Sequence, residues 1–388
     1  MCFLFQLGSR RQITHRLRTR EAAETFRTLF GVEHPPHGDT VGNFCKRVDV
    51  SQVEKIPTDA VDRLIRSKVL YRDRLLDEYF VIAMDGTETV HFTSRHCPTC
   101  LTRTHNGKTS YYHPVLEAKL ITKSGFAFSV MTEFIENVDP GASKQDCEWK
   151  AFLRLAPRLK ARFPKLSICI VLDGLFASGD IFGLCEAYGW KYFISLKDKD
   201  LPSVNEEFDY LSKLQKQNQL SVKDGKRQDL FRWVEGIQYV DGKKNEHLLN
   251  VVQCEETVCQ KTTKFKWITN FSINKANVEV LCHQGGRLRW KIENEGFNTQ
   301  KTGGYHLEHP YSQDMNAFKA LYYLMQIAHL LFQLIAKGSL IRKSFPKGFG
   351  SLKNLAHSLL EAWRTRRLTP EEFIAISADR IQIRFDSS

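Results

Sequence analysis

The chain reads as an α/β protein, a mixed-sheet core interrupted by a β-rich insertion and preceded by an N-terminal helical domain. Two continuous apolar runs anchor that reading. Tyr79–Met84 and Ser167–Leu172 are short enough for buried strands, and each runs straight into Asp-Gly, at Asp85 and at Asp173. The patterns around them follow the order β-β-β-α-β-α-β, which builds a mixed sheet. Residues 201–285 then change to alternating strand patterns before helical periodicity returns at 286.

At 388 residues the chain has room for two or three domains. Residues 1–76 read as a helical DNA-binding region, with a basic segment at Ser9–Arg20 and helical patterns at Glu21–Phe30, Asp39–Val48 and Thr58–Leu76. Gly31, Pro35, Pro36, Gly38 and Pro57 act as breakers between them. The apolar start precedes its charges, the reverse of a secretory signal. Because Met1 opens inside that run, the region is expected to lack its natural beginning. Residues 77–200 hold the first part of the core. Strands are predicted at Tyr79–Thr87, Val115–Thr122, Phe126–Glu136, Ser167–Gly174 and Trp190–Leu196, with helices at Lys144–Phe163 and Ala177–Gly189.

The insertion, 201–285, carries strands at Leu230–Val240, His247–Gln253 and Lys264–Phe271, the first two joined across the turn signal Asp241-Gly242. Residues 286–340 complete the core with a glutamate-bearing helix and an apolar helix over 315–336. Its run Ala320–Ala336 includes Gln326, His329 and Gln333 and is shorter than the roughly 20 residues that cross a bilayer, so a buried helix and no membrane partner are expected. Residues 341–388 form a basic tail, with a cationic segment at Lys343–Lys353, a helix ending at Arg364–Arg367 and a short strand at Arg380–Phe385.

Lys and Arg number 56 against 44 Asp and Glu, a net charge of +12, which favours a polyanionic partner, most economically nucleic acid. Ten scattered cysteines are too sparse for a disulfide scaffold and fit reduced thiols in the cytoplasm, here alongside the nucleoid.

The densest chemistry lies at Arg287–Lys301. Read as a helix at about 100° per residue, this stretch stacks Arg289, Trp290, Glu293, Phe297, Gln300 and Lys301 into one stripe. A core-packing stripe would be apolar, and a solvated one would not hold two aromatic rings. A carboxylate between rings and cations fits a metal ligand beside a polyanion. Glu295 is the rival ligand, but it falls about 200° round the helix from Glu293. Two-metal phosphoryl transfer needs carboxylates that flank a pair of hard cations, and Asp85, Asp173 and Glu293 supply three from rigid elements.

With those residues in view, the sequence resembles the DDE transposases of bacterial insertion sequences, whose catalytic core is RNase H-like. The likeness is carried by Ala83-Met-Asp85-Gly-Thr87, Val171-Leu-Asp173-Gly-Leu-Phe-Ala-Ser178 and Arg289-Trp-Lys-Ile-Glu293 with Phe297 and Lys301. It covers about residues 75–340 and points to the branch with a β-rich insertion before the glutamate. The resemblance implies a metal triad of Asp85, Asp173 and Glu293 holding two Mg²⁺, with Mn²⁺ as a substitute. It also implies that Arg289 and Lys301 meet DNA phosphates, beside Trp290. Two positions depart from the family pattern. Gly286 stands where a tyrosine is usual, and the lysine falls at +8 from Glu293, with Gln300 at +7. The partners implied are double-stranded DNA, as terminal inverted repeats and as target, and a second copy of the chain, since two ends must be joined. A nuclease of the same core, or a catalytically silent DNA-binding derivative, are the alternative readings.

Cys97 and Cys100 have the spacing of half a zinc site, and His105 and His113 follow as candidate partners for a structural Zn²⁺ in the connection between the first two strands. Reduced thiols are the competing reading, and Cys254 and Cys259 are further candidates to complete the site. Trp267 reads as core or as a base-stacking ring. Asp146 and Glu148, at a helix start, read as partners of the helix dipole.

Overall fold

In the computed structural model, residues 1–139, 141–341 and 345–378 are described. The strand expected at Arg380–Phe385 and the opening of the basic segment at Lys343 lie outside them. Ten strands form one mixed sheet. They are β1 (Phe80–Phe92), β2 (Leu101–His105), β3 (Lys108–Ile121), β4 (Ala127–Phe134), β5 (Ile168–Leu172), β6 (Lys191–Ser195), β7 (Gln219–Asp224), β8 (Arg227–Val240), β9 (Glu246–Val258) and β10 (Lys261–Thr269). The order across the sheet is β2-β3-β1-β5-β6-β10-β9-β8-β7, with β4 also on β3. Strands β1, β5 and β6 are parallel, and the remaining pairs are antiparallel. Parallel strands are covered on both faces, and β5 is buried along its whole length.

The insertion is continuous with the core. Strand β10 pairs with β6 through Trp267↔Ser195, Ile268↔Ile194 and Thr269↔Phe193, so β7–β10 extend the central sheet. A helix at Pro202–Leu214 also belongs to it.

Four helices precede the sheet: Arg10–Leu17, Arg20–Phe30, Gly38–Cys45 and Val50–Arg66. The last departs from the sequence reading, because Pro57 lies inside it rather than at its boundary. Pro57 shares the buried face with Val53, Val61 and Ile65, and that face packs on β4 and on the long helix Met315–Lys337. Tertiary burial of the amphipathic stripe outweighs the lost N–H. The N-terminal helices do not stand alone. Phe5, Ile13 and Leu17 share a core with Leu360 and Trp363 of the helix Leu352–Thr365, so both ends of the described chain build one helical layer.

Helix Met315–Lys337 is the one described helix long and apolar enough to cross a membrane, and 72% of that window is buried inside the protein. Its polar residues serve an interior network. Glu117 and Lys119 on β3 are fully buried and paired at 3.0 Å. Tyr322 donates to Glu117 at 2.9 Å, and Ser129 donates at 2.7 Å. Lys119 donates to Gln326 at 3.0 Å, and Gln326 in turn accepts from Gln300 at 2.7 Å. The network fastens the sheet to the long helix and to the segment carrying Glu293.

Removing one member of such a pair strands a buried charge. Lys119→Met is therefore expected to lower unfolding stability by roughly 3–5 kcal/mol, read from chemical denaturation midpoints. Glu117→Gln added to it should restore part of that loss.

Candidate functional site

The parallel pairing of β1 with β5 runs from Phe80↔Ile168 to Ala83↔Val171 and then stops. Asp85 and Asp173 are each two residues further on, so by strand alternation both project from the face of Ala83 and Val171. One strand spacing, about 5 Å, separates the two backbones there. The strands end differently. Asp173 leaves the sheet and caps the turn Gly174–Phe176, its Oδ1 accepting from Leu175 N at 2.7 Å. Asp85 does not terminate its strand, as the sequence reading had it. Strand β1 continues to Phe92 on its pairing with β3, and Asp85 stands where its parallel neighbour has ended.

Glu293 arrives from above this face. The predicted regular helix over 287–301 is instead three pieces: a 3₁₀ turn at Gly286–Arg289, a π-helical segment at Ile292–Asn298 and an α turn at Thr299–Thr302. Two glycines seat the first piece. A side chain on Gly285 would meet Leu281 O and Phe193, and one on Gly286 would fall 2.5 Å from the Trp267 ring. A tyrosine has no room there. Wider winding also splits the stripe. Trp290 stays half exposed, whereas Phe297 and Gln300 turn inward, Gln300 onto Gln326 and His329. π-helical segments of this kind cluster at functional sites.

Arg289 joins the pieces. Its guanidinium lies 2.9 Å from Asp85 Oδ2 and 3.0 Å from Glu293 Oε1, bridging carboxylates 208 residues apart in sequence. Glu295 instead pairs with Lys291 at 2.8 Å. Lys301 pairs with Glu308 at 2.9 Å and does not line the neighbouring cleft.

A fourth carboxylate joins the three. Glu148 opens the helix Glu148–Arg162 and lies against Gly86, where a Cβ would sit 1.9 Å from its Oε1. Only glycine leaves that space, so Gly86 admits Glu148 to the acidic cluster from the opposite face of the sheet. The sequence reading took Glu148 for a helix-dipole partner; it does stand in the first turn of that helix, and the structure also brings it to this cluster. Asp146 does act locally, paired with Arg154 at 2.7 Å. A glycine inside a predicted strand, next to a candidate ligand, is a signal of such an approach that the sequence reading passed over.

Burial pushes the Asp85 carboxyl up to about 6; Arg289 opposes that, and the charges of Glu293 and Asp173 reinforce it. Burial likewise raises Glu148 to about 7, helped by Asp85, Asp173 and Glu88. The donor set is all oxygen, which suits a hard divalent cation, and a guanidinium already supplies positive charge between Asp85 and Glu293. The donor type suits Mg²⁺, but among the described residues no three of these carboxylates bring their ligand atoms within 4.8 Å of one another, with Arg289 standing between Asp85 and Glu293.

Beside the cluster opens a cleft of about 500 Å³, lined by Asp173, Lys197, Lys264, Lys266, Arg289 and Trp290 among others. Lys197 Nζ is 3.6 Å from Asp173. Trp267 is core, 4% exposed and stacked on Phe265, at the wall of the cleft.

The cysteine cluster is separate. Cys97 does meet His113, but the histidine grouped with both cysteines is His96, which also contacts His113. His105 is exposed at the β2–β3 turn, because it pairs with Lys108 at the hairpin tip. Cys254 lies in β9, beside Asp229 and His283, and Cys259 is exposed just beyond that strand.

No protein-family model matches the chain, and no curated protein matches it in sequence.

The raised Asp85 value carries a sign that can be checked. Below about pH 4 the carboxyl is protonated in folded and unfolded chains alike. As pH rises through about 6, ionisation is harder in the fold, and stability is lost over that window. Asp85→Asn removes the burden. Without divalent cations it should match wild type near pH 4 and exceed it by about 2–3 kcal/mol above pH 7, read from urea midpoints across pH.

Proposed function

We propose that the chain is a DDE-type DNA transposase with an RNase H-like core, which cuts at the inverted-repeat ends of its element and joins the freed 3′-hydroxyl to target DNA. The observation that carries this reading is the Arg289 guanidinium bridging Asp85 and Glu293, with Asp173 on the neighbouring strand close enough for its charge to act on Asp85. The chain order of the core strands and helices, with β1 beside β5, also supports it.

Asp85, Asp173 and Glu293 would hold two Mg²⁺, which would supply activation of the attacking oxygen and stabilisation of the leaving one. The chain's own residues do the rest. Arg289 offsets the charges of Asp85 and Glu293, and, lining the cleft, it would also meet a DNA phosphate bound there. Lys197, Lys264 and Lys266 grip the backbone along the cleft, and the exposed Trp290 ring offers a stacking face at its mouth. Binding by such contacts weakens steeply with salt. Pairing two ends implies a homodimer on DNA, an inference from the reaction.

The test uses a supercoiled plasmid carrying the DNA that flanks the gene. Mg²⁺-dependent cleavage exposing a 3′-hydroxyl, and joining of a pre-cut end, are expected. Asp85→Asn, Asp173→Asn and Glu293→Gln should each fall to the level of a protein-free control, while Glu295→Gln stays active. Cleavage that survives those three substitutions overturns the assignment. Cleavage without joining selects the nuclease reading.

A further inference from the structure

The second convergence of ligand atoms lies off the carboxylate site. His113 projects from β3 opposite Val90, five residues along β1 from Asp85 and roughly 16 Å away by strand rise. Its Nε2 is 3.3 Å from Cys97 Sγ and 3.2 Å from His96 Nε2. The ligand atoms of His96, Cys97 and Cys100 all lie within 4.8 Å of one another. Around a tetrahedral zinc with Zn–N near 2.0 Å and Zn–S near 2.3 Å, ligand atoms stand about 3.3–3.8 Å apart. The two His113 contacts have the spacing of the bound state, and His113 adjoins the group formed by His96, Cys97 and Cys100.

The surroundings fit a structural centre. His113 and Cys100 are buried, and His96 and Cys97 are partly so. Phe92 packs on His96 with ring centroids 3.8 Å apart, and Phe318 packs on His113 at 5.9 Å. Among the described residues, no basic side chain pairs with the thiols. The other Cys/His/Asp cluster among the described residues, Asp229–Cys254–His283, differs on this point. There Arg227 already sits 2.7 Å from both Asp229 and His283, so its negative charge is met within the protein.

We propose that His96, Cys97, Cys100 and His113 bind one zinc ion as a Cys₂His₂ structural site that pins the β1–β2 loop to β3. Two thiolates neutralise the ion, and their protons pass to solvent as it binds. With all four positions taken by protein atoms there is no open position for a substrate, so the site is structural. Its role is to hold rigid the outer half of β1 and β3, the ladder that also carries Asp85. The assignment is independent of the proposed reaction.

The test is a cobalt titration of the full-length protein after chelation. One equivalent of Co²⁺ should produce the intense visible bands of a tetrahedral thiolate site, and one equivalent of Zn²⁺ should bleach them. Cys97→Ser, Cys100→Ser and His113→Asn should each weaken binding at least about 100-fold, and His105→Ala should leave it unchanged. The proposal is overturned if wild-type protein gives only weak octahedral bands. It is also overturned if His105→Ala loses the signal, or if His96→Ala retains it in full.

Discussion

Mutual repulsion among Asp85, Asp173, Glu293 and Glu148 is the constraint around which the molecule is arranged. Four acidic groups in a half-buried space oppose one another and the fold. Arg289 is the counterweight, and it touches two of them at once. The 3₁₀ turn that presents it exists because Gly285 and Gly286 lie flat against Phe193 and Trp267. Phe193 belongs to β6 and Trp267 to β10, so the pairing that joins the insertion to the core also sets the height of the guanidinium. Behind it, Gly296 rests on the Lys119 stem, and the buried Glu117–Lys119 pair backs the π segment. Charge on one face of the sheet is thus held in place by a second, fully buried ion pair below it.

Much of this was readable in the residues, and what was not has physical causes. Strands β5 and β6 are buried nearly throughout, so their apolar runs mark them to within one or two residues. Strands β2 and β7 expose most of their side chains; β2 has Leu101 alone and β7 only Leu220 and Val222 as apolar residues, too few to mark a strand without their partners. Pro57 reads as a break because propensity is local, whereas the face it shares with Val53 and Val61 is filled by β4, distant in sequence. The extra residue per turn in the π segment leaves no composition signature. Placement of Trp290 outside and Gln300 inside therefore follows only from coordinates.

Pairwise spacing misled in two places. His105 lies as plausibly near Cys97 in sequence as His96 does, but a hairpin carries it away along β2, and the loop folds His96 back. Glu148 sits 63 residues from Asp85 and reaches it from the far side of the sheet, through a gap that exists only because residue 86 lacks a side chain. Both cases depend on strand geometry rather than on motif.

The hydroxyls of Thr19, Thr25 and Thr28 donate to the carbonyls of Arg364, Arg366 and Leu368. Those partners are made more than 300 residues apart. During synthesis the first helices emerge while the segment that covers them has not yet been translated, and their apolar faces wait uncovered on the ribosome. The helical layer is thereby the last part of the molecule to close, and a chain released early would keep its sheet while leaving that layer open.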